Sequence, residues 1–137
     1  MRYKIKHLFV CLLVFLQCSS NNESLQLGAE RTTKYFPLIE GKSIGIVGNQ
    51  SSLIGSTHLV DSLLSAKFHI LKVFSPEHGF RGIADAGTHI KNEIDENTGL
   101  PIISLYGKNK KPTKSQLDGI QVLLFDLQDV GARFYTY

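Results

Sequence analysis

The chain has 137 residues, 42% hydrophobic and 20% charged, a balance that suits a globular protein with one core and leaves no room for a second full domain. Its net charge of +3 comes from Arg2, Lys4 and Lys6, since residues 1–17 hold no acid and the remainder carries 12 positive and 12 negative charges. Without a surplus of positive charge beyond that segment, a nucleic-acid role loses its main electrostatic support.

The basic residues are followed by an apolar run, Leu8 to Leu16. A bilayer needs about 20 apolar residues, so this shorter run predicts a secretory signal over residues 1–18 rather than a membrane span. Cys18 stands where a lipoprotein signal places its lipidated cysteine, although Leu16 and Gln17 replace the small residues usual before it. Lipidation of Cys18 is expected, with ordinary cleavage as the alternative. Either outcome exports the protein, to the periplasm or to the cell envelope as a membrane-anchored lipoprotein. The other cysteine, Cys11, lies in the signal, so no disulfide or Cys-ligated metal is expected in the mature domain. Residues 19–41 read as a polar tether and N-terminal segment containing "YFPLIEG", and residues 42–137 as a partial Rossmann-like domain.

In that domain "KSIGIVGNQSS" predicts a β-branched strand ending at Gly48 and Asn49. "STHLVDSLLSA" has helical spacing at Leu59, Val60, Leu63 and Leu64, with Ser56 or Thr57 as its N-cap. "FHILKVF" and "LPIISLYG" predict the second and third strands, a short helix is expected around "TKSQLD", and "IQVLLFDLQDVG" predicts a fourth strand. The last run is almost wholly apolar from Ile120 to Leu127, which suits a central parallel strand buried on both faces. The alternation predicts an α/β fold: a Rossmann-like, mostly parallel sheet with flanking helices. Neither G-x-G-x-x-G nor G-x-x-x-x-G-K-[ST] occurs, so Gly45 and Gly48 read as turn and close-packing glycines rather than a phosphate cradle.

Ligands of open parallel sheets bind beyond the carboxyl ends of the strands. The polar residues gather there: Asn49, Gln50 and Ser51 after the first strand; Glu77, His78 and Arg81 in "SPEHGFRG" after the second; Tyr106 and Lys108 after the third; Asp126, Gln128, Asp129, Arg133 and Tyr135 at the fourth. Pro76, Gly79 and Gly82 constrain the "SPEHGFRG" loop, so that Glu77 can be held in one place. A carboxyl group so held, partly desolvated and near a second carboxylate, can act as a general acid, with Asp126 and Asp129 as available partners. The plainer alternatives are a Glu77–Arg81 surface ion pair, a loop-orienting His78, and a capping role for Asp126. No H-E-x-x-H or His-rich spacing is present, and neither metal nor cofactor is expected.

"SPEHGFRG", "AG" at Ala86 and Gly87, "TGLPIISLYG", "KPT" at 111–113 and "FDLQDVGARFYTY" occur in the order found in NamZ-type exo-β-N-acetylmuramidases, which the chain resembles over roughly residues 40–137. The resemblance implies a Rossmann-like domain carrying an active site, completed in the family by a smaller C-terminal domain. It implies release of N-acetylmuramic acid from the non-reducing ends of peptidoglycan fragments. Glu77 would then be the leading catalytic residue, with Asp126 or Asp129 as second carboxylate. Asn49, His78, Arg81, Gln128, Arg133 and Tyr135 would contact the amino sugar, with Arg81 or Arg133 reading its lactyl carboxylate. Family chains are longer, so this chain is expected to be an N-terminal fragment lacking the C-terminal domain.

Overall fold

A computed structural model describes residues 25–76, 79–82 and 93–127. In chain order the elements are α1 (Thr32–Ile39), β1 (Ser43–Gly48), β2 (Leu53–Ile54), β3 (Thr57–His58), α2 (Leu59–Ser65), β4 (His69–Ser75), β5 (Glu93–Ile94), β6 (Pro101–Ser104) and β7 (Val122–Asp126). Five strands form one sheet in the order β5-β6-β4-β1-β7, with β5 antiparallel to β6 and the other pairings parallel. The expected α/β class and mostly parallel sheet are present.

The four parallel strands, taken in chain order, lie 3-2-1-4 across the sheet, as do the first four strands of a Rossmann fold. The direction of strand addition therefore reverses between β1 and β7. Their carboxyl ends, Gly48 and Asp126, are register partners. This is the topological switch point, beside which open α/β sheets form their ligand crevice.

β1 is central because Ile44, Ile46 and Val47 are buried and it is paired on both sides. Gly45 and Gly48 allow the close approach expected of them. A Cβ at Gly45 would lie 2.7 Å from Ile120 Cδ1, and one at Gly48 would lie 2.8 Å from Ser52 Oγ. The core joins β1 and β4 to α1 and α2 through Ile39, Ile46, Leu59, Leu63 and Val73.

β7 is the last strand of the described sheet, with Leu123 and Phe125 42% and 69% exposed. Two local expectations are corrected. The segment around "TKSQLD" forms consecutive turns, with Gln116 and Leu117 N–H groups donating to Thr113 O, but no helix. The helix after β1 starts later than expected, because β2 and β3 form a tight hairpin that takes Thr57 into a strand. His58 is its N-cap, accepting from the Val60 N–H. Within the presumed tether, α1 forms despite Pro37, and buries Ile39. Among the described residues no helix is long and apolar enough to cross a membrane. The signal segment and Cys18 lie outside the described residues.

Candidate active site

Ser52 closes the floor of the crevice between β1 and β7. Its hydroxyl donates to the Asp126 carbonyl at 2.6 Å and accepts the Asn49 N–H at 3.2 Å. Asn49 is buried, and its Oδ1 accepts from the Ser51 N–H at 2.9 Å and the Ser51 hydroxyl at 2.7 Å. The loop after β1 is thus folded on its own side chains, a local bonding pattern that asparagine and serine favour. In this structure the Asn49 side chain is committed to shaping the loop.

His58 supports the same loop from below. Its Nε2 lies 3.0 Å from the Asn49 carbonyl, and a carbonyl can only accept, so Nε2 carries the proton and Nδ1 accepts from Val60. Burial holds the imidazole below its ordinary pKa of 6.5, partly offset by the bond to Asn49. The neutral ring packs edge-on against Phe80, with centroids 4.5 Å apart.

Phe80, at 1% exposure, anchors the loop after β4 in the core. Gly79 and Gly82 take φ of 77° and 70°, the left-handed region that glycine adopts without strain. At Gly82 a Cβ would also lie 2.9 Å from Gln50 Cβ, so this loop and the loop after β1 touch. Two strand ends are thereby brought together.

Arg81 turns the other way. Its Nη1 and Nη2 donate to Asp61 at 2.8 and 2.9 Å, and its Nε and Nη2 donate to Asp95 at 2.9 and 2.7 Å. Four of the five guanidinium N–H groups are engaged, and the cation lies over the Phe80 ring at 4.8 Å. Arg81 holds both carboxyls below the usual carboxylate range, chiefly by hydrogen bonding. Asp95 also accepts the Thr98 hydroxyl at 2.6 Å.

Asp126 is half-buried at the end of β7. Burial pushes its carboxyl above the usual range, opposed chiefly by the Ser52 hydroxyl. Of the expected site residues, Asn49, Arg81 and Asp126 are described, and all three lie at the carboxyl end of the sheet. Glu77, His78, Gln128, Asp129, Arg133 and Tyr135 lie outside the described residues. Ser52, His58, Phe80, Asp61 and Asp95 were not singled out from the sequence as site residues. Ser52 adjoins a segment already read as a polar strand end and His58 fell inside the stretch read as a helix, whereas Asp61 and Asp95 resemble ordinary surface acids of a helix and a turn.

A concavity of about 330 Å³ lies at the opposite, amino end of β1 and β4, lined by Glu40, Lys42, Lys67 and His69 among others. It holds a single carboxylate and none of the expected site residues. The carboxyl ends of the strands, by contrast, carry Asn49, Arg81 and Asp126. Among the described residues, no group of three or more His, Cys, Asp or Glu is arranged to hold a metal.

A mostly parallel sheet with folded polar loops and Asp126 at its switch point has the layout of the class of α/β folds whose ligand sites lie at strand ends. Comparison with known proteins narrows this. Residues 44–137 match the family described as exo-beta-N-acetylmuramidase NamZ, N-terminal, and the chain belongs to that family. It is 44% identical over 105 residues to the peptidoglycan beta-N-acetylmuramidase NamZ of Bacillus subtilis (strain 168), a match covering 75% of this chain and 25% of that protein. Crystal structures of two DUF1343 family proteins from Bacteroides fragilis NCTC 9343 are similar at a TM-score of 0.64 each, with 44% and 37% identity. These matches cover 80% and 77% of this chain but 27% and 26% of theirs. The chain spans about a quarter of the length of the relatives it matches.

Proposed function

We propose that this chain carries the catalytic groups of an exported glycoside hydrolase that releases N-acetylmuramic acid from the non-reducing ends of peptidoglycan fragments. The family match over residues 44–137 carries the reading, because it spans both "SPEHGFRG" and "FDLQDVGARFYTY". Glycoside hydrolysis needs a carboxylic acid to protonate the leaving oxygen and usually a second carboxylate as base or nucleophile. Glu77 is assigned the acid. Asp126 or Asp129 is assigned the second role, either acting directly or orienting the 2-acetamido group of the sugar as internal nucleophile. The desolvation of Asp126 supports its use, since a carboxylate held short of water gains more from a developing positive charge than a solvated one.

His78, Gln128 and Tyr135 are assigned to the sugar, and Asn49, buried and bonded to Ser51, to shaping the loop beside it rather than to the contact expected of it. Arg133 is assigned to its lactyl carboxylate by a bidentate pair, the role for which Arg81 has one N–H left after its described bonds. Export, with Cys18 as lipid anchor to the cell envelope, belongs to the same proposal. The alternative is a cell-envelope lipoprotein that binds glycan in this crevice without turnover.

The test is release of N-acetylmuramic acid from a 4-nitrophenyl or disaccharide muramide by the chain without residues 1–18, beside Glu77→Gln. Turnover lost in the variant supports the assignment. A folded chain without turnover is then joined to the remaining three quarters of the Bacillus relative. Absence of turnover there too, with muramide still bound, favours the binding alternative.

A further inference from the structure

The Arg81 network is larger than a surface ion pair requires. One carboxylate would neutralise the guanidinium, yet two are bound, both through paired hydrogen bonds, from α2 and from the turn between β5 and β6. The side chains of Arg81 and Asp95 are 17% and 5% exposed, and Asp61 is the more open partner at 34%. Asp95 is fixed in turn: its hydroxyl donor is Thr98, its N–H donates to Leu100 O, and its carbonyl accepts the Gly99 N–H at 2.7 Å. Phe80, next to Arg81, is packed in the core beneath the cation.

We propose that Asp61 and Asp95 are positioning residues: they clamp Arg81, and with it the segment from Phe80 to Gly82, between α2 and the β5–β6 turn, and so withhold the guanidinium from substrate. The clamp sits four residues after Glu77, and its effect on catalysis rests on the glycosidase reading. An arginine that reads an anionic ligand needs an open fork facing that ligand. Here both edges of the fork already face carboxylates, so a ligand anion would have to displace one of them.

The clamp itself is tested without turnover, by amide hydrogen exchange in Asp95→Asn and Asp61→Asn beside the wild type. Exchange at Phe80, Arg81 and Gly82 should accelerate by about tenfold or more while Ile46 and Val73 stay protected, because local opening is freed and the core is not. Unchanged exchange at those three amides overturns the clamp. Should Asp95→Asn fail to fold, Asp61→Asn, which removes the more exposed partner, gives the same reading.

In the active enzyme both variants should lower kcat by about ten- to a hundredfold with KM nearly unchanged, the signature of misplaced catalytic groups rather than lost binding. A raised KM at constant kcat would instead assign Arg81 to substrate. If the wild type binds muramide without turnover, the glycosidase reading fails and affinity decides: Arg81→Lys should keep the affinity for N-acetylmuramic acid, and a loss of about tenfold overturns the proposal.

Discussion

Gly48→Ala tests the close approach that shapes the crevice floor. The added methyl would lie 2.8 Å from Ser52 Oγ but 3.4 Å from Ser52 Cβ, so only the hydroxyl obstructs it. That hydroxyl serves the Asp126 carbonyl and the Asn49 N–H, and Asn49 and Ser52 are each 1% exposed. Displacing it leaves buried groups unpaired at about 2 kcal/mol, within the range for such losses. The restricted unfolded chain of alanine returns about 0.5 kcal/mol, so Gly48→Ala should cost about 1.5 kcal/mol. Ser52→Ala loses the same two bonds and should cost about 2 kcal/mol. In the double variant the methyl meets only Cβ, so the cost should stay near 1.5 kcal/mol, about 2 kcal/mol below additivity. Urea unfolding followed by far-UV circular dichroism measures all four proteins, the chain having no tryptophan. Costs that add to within about 0.5 kcal/mol would refute the reasoning, since independent sites behave that way.

Phe80→Ala should destabilise by about 3–5 kcal/mol, the range for a buried phenylalanine, whereas Phe80→Leu should cost much less; thermal melts compare them. The folded pKa of His58 lies below 6.5, so the unfolded chain takes up that proton first and stability should fall as pH drops below about 6.5. His58→Gln, which keeps a donor for Asn49, should flatten this part of a urea-midpoint profile against pH; an unaltered profile would place the effect elsewhere. Asp61 and Asp95 have lowered folded values, so their contribution is present above 3.8 and is lost as pH falls through those lower values. Asp126 is the opposite case: its raised folded value means that ionisation opposes folding at neutral pH. Asp126→Asn should therefore hold or raise the melting temperature at pH 7 while reducing muramide turnover, and a large loss of stability would contradict that sign.

Strand positions were legible because β-branched runs stop at glycine, asparagine or serine, which serve turns better than strands. Sheet order was less so. Nothing local says that β7 pairs with β1 rather than with β6. The helix around Pro37 was hidden because proline inside a helix removes a donor, a local cost that the burial of Ile39 and the packing of Phe36 against Phe68 offset here. The start of α2 was misplaced because a two-strand hairpin and a helix N-terminus compete for the same polar residues, and the hairpin took Thr57.

For the site, sequence locates groups by strand end but not by partner. The position of Asn49, Arg81 and Asp126 beyond the strand ends was legible because polar residues just past apolar runs lie at one end of a parallel sheet. The carboxylates that hold Arg81 stand 20 and 14 residues away, in segments whose own patterns are those of an ordinary helix and turn. Only the folded chain pairs them. The same distinction separates two kinds of polar residue at this crevice. Ser52, His58, Asp61 and Asp95 satisfy hydrogen bonds within the protein, and their loss should be felt first as stability or loop order. Asp126 is left partly desolvated, with its carboxyl held above the usual range, a cost to folding that no internal partner fully cancels. A group kept at such a cost beside a switch point is the better candidate for chemistry, because the free energy that its desolvation costs is recovered when a positive charge develops beside it.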